Sequence, residues 1–150
     1  MTINERLLDD MKTAMKAKDT LALTVIRSLR SSIKYAAIGR EGEETELDDA
    51  EVVVVIRKEL KKRDDSVTSY EAAKRPDLAD VERAEAAVLA RYLPAGLSAA
   101  EVAALVDGAI AELGASTKKD MGAVMKLVSE RAAGRTDGKT LSTEVAKRLQ

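Results

Sequence analysis

The stretch from residue 78 to residue 101, LADVERAEAAVLARYLPAGLSAAE, limits what this chain can fold into more than any other part of it. Leu78, Val81, Val88, Leu89 and Tyr92 recur at helical spacing and predict one apolar stripe, while Asp80, Glu82, Arg83 and Arg91 fall on other faces. Pro94 stops that helix. Proline pushes Leu93 out of helical geometry, Gly96 loosens the chain behind it, and Ser98 with Glu101 reads as a capping box for a new helix. A helix, a hard stop and an immediate restart predict two helical bundles joined at residues 95–97.

The flanking sequence supplies more helices. Thr2 and Glu5 cap a first one running to about Lys18, with Ile3, Leu7, Leu8, Met11, Ala14 and Met15 as its stripe. A reversal at Asp19 and Thr20 leads to a second over residues 21–38, which carries Arg27, Arg30 and Lys34 beside its apolar face and ends at a Gly39 cap. After a loop holding six acidic residues, Asp48 and Glu51 cap a third helix to about Lys74. Its run of Val52 to Ile56 would pass for a strand, but the continuation RKELKKRDDSVTSYEAAK is built from helix formers and keeps Leu60, Val67 and Tyr70 near one face. Pro76 suits the first turn of a fourth. Beyond Pro94 three shorter helices follow, over residues 98–113, from about 117 to before Gly134, and from Asp137-Gly138 onward. The expectation is an all-α fold, a four-helix unit over residues 1–93 followed by a smaller three-helix bundle over 94–150.

Composition removes whole classes of chemistry. Cysteine and histidine are both absent, so this chain holds no thiolate zinc site, no cysteine nucleophile and no Ser-His-Asp triad. No catalytic residue is assigned. The acidic loop lacks calcium-ligand spacing, and GREGEE and GRTDGK lack phosphate-loop spacing, so neither a metal nor a cofactor is expected. No apolar run approaches the roughly 20 residues that span a bilayer, and the first residues lack a basic-then-apolar signal layout, which gives the expectation of a cytoplasmic protein with no membrane partner.

Charge is segregated although the net value is −1. Residues 115–150 hold eight basic and four acidic side chains, a net of +4, and Lys118, Lys119, Lys126, Arg131, Arg135 and Lys139 stand among only three acids, Asp120, Glu130 and Asp137. Basic residues near helix ends suit phosphate; they also suit an ordinary solvated face. A second basic set, Arg57, Lys58, Lys61, Lys62 and Arg63, is interleaved with Glu59, Asp64 and Asp65 at pairing distance. Three tyrosines and no other aromatics leave no stacking platform, so any RNA would be read by backbone and shape. Gly122 lies early in a helix where alanine would be better, which asks for close packing or the close approach of a ligand backbone. Met121 and Met125 read as core fillers, and Glu85 as the ion-pair partner of Arg27 or Arg30.

The strings AEAAVLARYLP (residues 84–94), GASTKKDMGAVM and GRTDGK, with VIRSLRSSIK and EVVVVIRKELKKRDDS upstream, resemble the GatB/YqeY family over nearly the full length. The resemblance implies a two-part helical fold similar to the tail of the B subunit of glutamine-dependent aminoacyl-tRNA amidotransferase, without its catalytic body. It puts Lys118, Lys119, Asp120, Met121 and Gly122, and Gly134, Arg135, Asp137, Gly138 and Lys139, on a tRNA-facing motif, with Tyr92 and Pro94 marking the hinge. The stretch at Ser129-Glu130 and Ala132-Ala133 departs from the more basic pattern usual in that family. Three functions follow: a tRNA-binding accessory module through Lys118, Lys119, Lys126, Arg135 and Lys139; an adaptor docking an amidotransferase or aminoacyl-tRNA synthetase subunit; or carbon-nitrogen ligase activity with glutamine as amide donor, within a complex.

Overall fold

The computed structural model describes residues 1–38, 42 and 44–150. The expected Gly39 cap, and Arg40, Glu41 and Glu43 of the acidic loop, lie outside the described residues. Among those described there are seven α-helices and no strand: α1 (Ile3–Ala17), α2 (Thr20–Ala36), α3 (Asp49–Ala72), α4 (Pro76–Ala90), α5 (Ala99–Leu113), α6 (Met121–Ala132) and α7 (Gly138–Arg148). A 3-10 turn, Lys118–Asp120, leads into α6, and one isolated bridge joins Ile38 to Glu44. The described residues separate into two compact units, Met1–Leu93 and Pro94–Gln150.

The caps explain where the helices of the first unit begin. Thr2 and Glu5 form a reciprocal capping box on α1, and Asp48 and Glu51 do the same on α3. Asp19 caps α2 by accepting from the Ala22 N–H at 3.1 Å, immediately after Lys18 turns the chain through a left-handed residue. Lys74, also left-handed at φ 58°, ends the turn after α3, and Pro76 opens α4.

Burial settles how the valine run folds. Val52, Val53, Val55 and Ile56 are buried while Val54 is half exposed, the pattern of a helix with one solvent-facing position and not the alternation of a strand. These side chains meet Leu7 of α1, Val25, Ile26 and Leu29 of α2, and Val88, Leu89 and Tyr92 at the end of α4 in one core. Three residues of the expected stripes stand exposed at its edge, Leu8 and Met15 of α1 and Val81 of α4. Val81 is 50% exposed, and Ala79 is the buried residue near the start of α4. Length bears on Val81: α3 has 24 residues against 15 in α1 and 17 in α2, and its main packing neighbour is α4. Glu85 pairs with Arg63 of α3 at 3.3 Å, not with Arg27 or Arg30, and the same guanidinium reaches Glu59 at 3.5 Å.

The second unit closes around Val102, Val106 and Ala109 of α5, Val124 and Val128 of α6, and Leu141, Val145 and Leu149 from α7 onward. Met121 and Met125 pack against this core partly buried. Ser98 caps α5 by accepting from the Glu101 N–H, but the Glu101 carboxylate turns instead to Arg135, 3.8 Å away. Arg135 also donates from Nε to the Ala95 carbonyl at 3.0 Å, and its own carbonyl accepts the Leu97 N–H at 2.9 Å. Residues 95–97, expected to be a loose joint, are therefore strapped to the loop between α6 and α7.

Candidate nucleic-acid interface

The second unit sorts its cations into two kinds. Arg131 is held by Glu112, Arg135 by Glu101, Lys147 by Glu144, and Arg148 by Asp107 and Glu144. Lys118, Lys119, Lys126 and Lys139 are exposed and make no ion pair among the described residues. A lysine in water without a carboxylate partner keeps its full attraction for an incoming phosphate, whereas a paired arginine must first give up its carboxylate.

Local structure fixes where those lysines stand. Asp120 bends back to accept the Ser116 N–H at 3.0 Å and the Thr117 N–H at 3.2 Å, which folds Lys118 and Lys119 into the 3-10 turn and holds the Asp120 carboxyl below its ordinary pKa. The carboxylate that sits closest in sequence to the two lysines is thus committed to backbone donors. Gln150 accepts the Lys118 N–H at 3.2 Å and donates to the Ser116 carbonyl at 3.1 Å, so the end of α7 returns beside the turn.

The five expected cations do not form one cluster. Lys118 and Lys119 sit together at the entry to α6; Lys126 lies on the exposed face of that helix one turn beyond Gly122; Lys139 is in the first turn of α7. Twelve residues of α6 separate the two ends by about 18 Å. Arg135 is partly withdrawn by its bonds to Ala95 and Glu101, although its side chain stays 43% exposed. Unpaired lysines thus stand before α6, on it and at the start of the helix that follows.

Asp137 caps α7 by accepting the Thr140 N–H at 2.6 Å, next to Gly138, the first helical residue. Gly134 follows the left-handed Ala133 and is itself left-handed at φ 77°, which a glycine adopts without strain. The close packing anticipated at Gly122 is absent, since a Cβ built there would meet nothing within 4 Å. In the first unit Tyr92 is buried, with Arg6 over its ring and its hydroxyl donating to Asp10 at 2.5 Å, and Pro94 follows it half-buried.

An all-helical chain with exposed lysines on a small carboxy-terminal unit is the class defined so far. Comparison with known families gives the particular one: a family model described as Yqey-like protein matches residues 4–149, and the chain belongs to that family. Curated relatives include Altered inheritance of mitochondria protein 41, mitochondrial, from Clavispora lusitaniae, 38% identical over 84 residues, covering 56% of this chain and 47% of the relative. The protein of that name from Lachancea thermotolerans is 36% identical over 110 residues, 71% of this chain and 57% of the relative. That from Saccharomyces cerevisiae strain YJM789 is 34% identical over 87 residues, 58% and 46% of the two chains. The chain spans about half the length of the curated relatives it matches.

These names overturn the cytoplasmic expectation, because the relatives are named as mitochondrial proteins. The reason for the error is physical. A cysteine-free composition without an apolar span suits any reducing aqueous compartment, organelle interiors included, so it never had the power to choose among them. Among the described residues no helix is long and apolar enough to cross a membrane, and no group of carboxylates is placed to hold a metal.

Proposed function

We propose that the chain is a tRNA-contacting accessory module, non-catalytic by itself and related to the tail of the glutamine-dependent amidotransferase B subunit. Residues 1–93 and 94–150 act as two domains, and the smaller one engages the RNA. The observation that carries this reading is the division of cations in that domain: Lys118, Lys119, Lys126 and Lys139 are unpaired among the described residues while Arg131, Arg135, Lys147 and Arg148 hold carboxylates. Lysines spread from one end of α6, about 18 Å long, to the other suit the spaced phosphates of a folded RNA backbone better than a single anion. The bare surface at Gly122, on the same helix face as Lys126, lets a sugar-phosphate backbone approach without meeting a side chain. Arg135 serves mainly to hold residues 95–101 in place.

Lys118→Glu combined with Lys119→Glu tests the reading in the intact chain. Folding is checked by thermal melting, and the expected result is weaker binding of structured tRNA, with the log-log salt slope smaller by about 0.7–0.9 for each phosphate that the variant no longer neutralises. Equal affinity and an unchanged slope would remove the RNA footprint from this domain. The adaptor reading predicts that outcome and draws support from the half-exposed Val81 on α4. It predicts in addition that Val81→Asp abolishes capture of an amidotransferase or synthetase subunit.

A further inference from the structure

Between α2 and α3 of the first unit lies a groove of about 710 Å³ lined by Ser31, Ser32, Tyr35 and Ala36 on one side and Val55, Lys58, Glu59 and Lys62 on the other. That volume lies in the range of small-molecule sites. Tyr35 is 82% exposed, while Tyr92 is buried and Tyr70 half-buried. Exposing an aromatic ring this fully forgoes the burial that usually retains one. The floor beside it is apolar, from Ala36 and Val55, while the far rim is cationic.

The charges in the groove point the same way. Lys58 is exposed and makes no ion pair among the described residues. Glu59, the acid in the lining, is already engaged: it accepts from the Ser32 hydroxyl at 3.2 Å and pairs with Lys62 at 3.3 Å and Arg63 at 3.5 Å. Its charge is spent on Lys62 and Arg63, which leaves Lys58 as the lysine of the lining with no carboxylate partner among the described residues. Ser31, one helical turn before Tyr35, adds an exposed hydroxyl on the same ridge, and Arg27 stands one turn earlier still.

We propose that this groove binds a single nucleotide unit, its base stacked on Tyr35 and its phosphate held by Lys58 with Ser31 as a hydroxyl donor. The ligand is a free mononucleotide or one unstacked nucleotide of an RNA loop, which share this chemistry. The polymer case rests on the RNA reading above; the mononucleotide case does not.

The test measures the intact chain against labelled adenosine monophosphate by equilibrium dialysis and against a labelled single-stranded hexanucleotide by fluorescence polarisation. Tyr35→Ala is expected to weaken binding roughly tenfold or more, Tyr35→Phe to restore it, and Lys58→Gln to weaken it and flatten the salt dependence. Both positions are exposed, so unchanged melting confirms that the variants fold. Loss on both probes assigns the site to a nucleotide as such; loss on the hexanucleotide alone assigns it to RNA. Failure of both probes to bind, or binding indifferent to Tyr35, overturns the proposal. Tyr35-dependent capture of an acidic helical peptide with neither nucleotide probe bound overturns it in favour of a peptide groove. Lys118→Glu with Lys119→Glu leaves mononucleotide binding intact, so the two sites fail or succeed separately.

Discussion

At the scale of single residues, the interaction most open to a clean test is the phenol of Tyr92. Burial in the first place, and then the hydrogen bond and charge of Asp10, raise its pKa above the ordinary tyrosine value. The sign follows directly. An unfolded tyrosine ionises near pH 10, the folded one higher, so the unfolded chain releases its proton first and stability contributed by Tyr92 is complete below about pH 10 and lost as pH rises above it. Tyr92→Phe is expected to cost about 1 kcal/mol at neutral pH, modest because Asp10 reaches solvent. Between about pH 9 and 11 the parent should lose stability more steeply than Tyr92→Phe, read by urea midpoints across that range; parallel curves for the two proteins would mean that the Tyr92 phenol is not shifted in the fold.

At the scale of elements, Gly122 in α6 makes the sharpest prediction. It is helical, exposed and has nothing within 4 Å of a built Cβ, so Gly122→Ala should raise stability by up to about 1 kcal/mol, seen as a higher thermal midpoint. Gly114→Ala is the internal contrast. Gly114 ends α5 in the left-handed region at φ 62°, where a side chain is strained even with open space around it, and the substitution should lower stability by about 1 kcal/mol. Helix starts were readable from the chain because caps are local: Thr2, Asp48, Ser98 and Asp137 each accept from an N–H three residues on. Which member of a stripe is covered was not readable, because Val81 shares its face with Val88 yet stands half exposed while Val88 is buried. Pairing was equally hidden. Glu85 finds Arg63 because α3 and α4 lie side by side, and the commitment of Arg135 to Ala95 joins residues 40 positions apart. The lysines of residues 115–150 could be read off the sequence, but the separation of unpaired lysines from paired arginines depends on where Glu101, Asp107 and Glu112 of α5 stand.

At the scale of the whole molecule, the open question is how far residues 94–150 hold together without the rest. Their core is closed by side chains of α5, α6 and α7, and a unit this small has little stability to spare, a few kcal/mol at most. Small additions then decide whether it folds. The strap supplies two: the Leu97 N–H to the Arg135 carbonyl, and Arg135 Nε to the Ala95 carbonyl. Each bond contributes about 1 kcal/mol, with the solvent exposure of Arg135 placing its share at the lower end. A fragment of residues 94–150 should therefore unfold cooperatively in urea and show a helical circular-dichroism spectrum. A fragment of residues 98–150, which keeps the Ser98 cap and the core helices but lacks both strap bonds and the Leu97 side chain packed on the core, should have a lower midpoint by about 1–3 kcal/mol of stability. Arg135→Ala in the longer fragment removes only the side-chain bond to Ala95 and the weak pairing with Glu101, so it should fall between the two. If the longer fragment is largely unfolded, the two-domain reading fails; if both fragments are folded and equally stable, the strap contributes nothing and Arg135 is returned to the cations available to RNA.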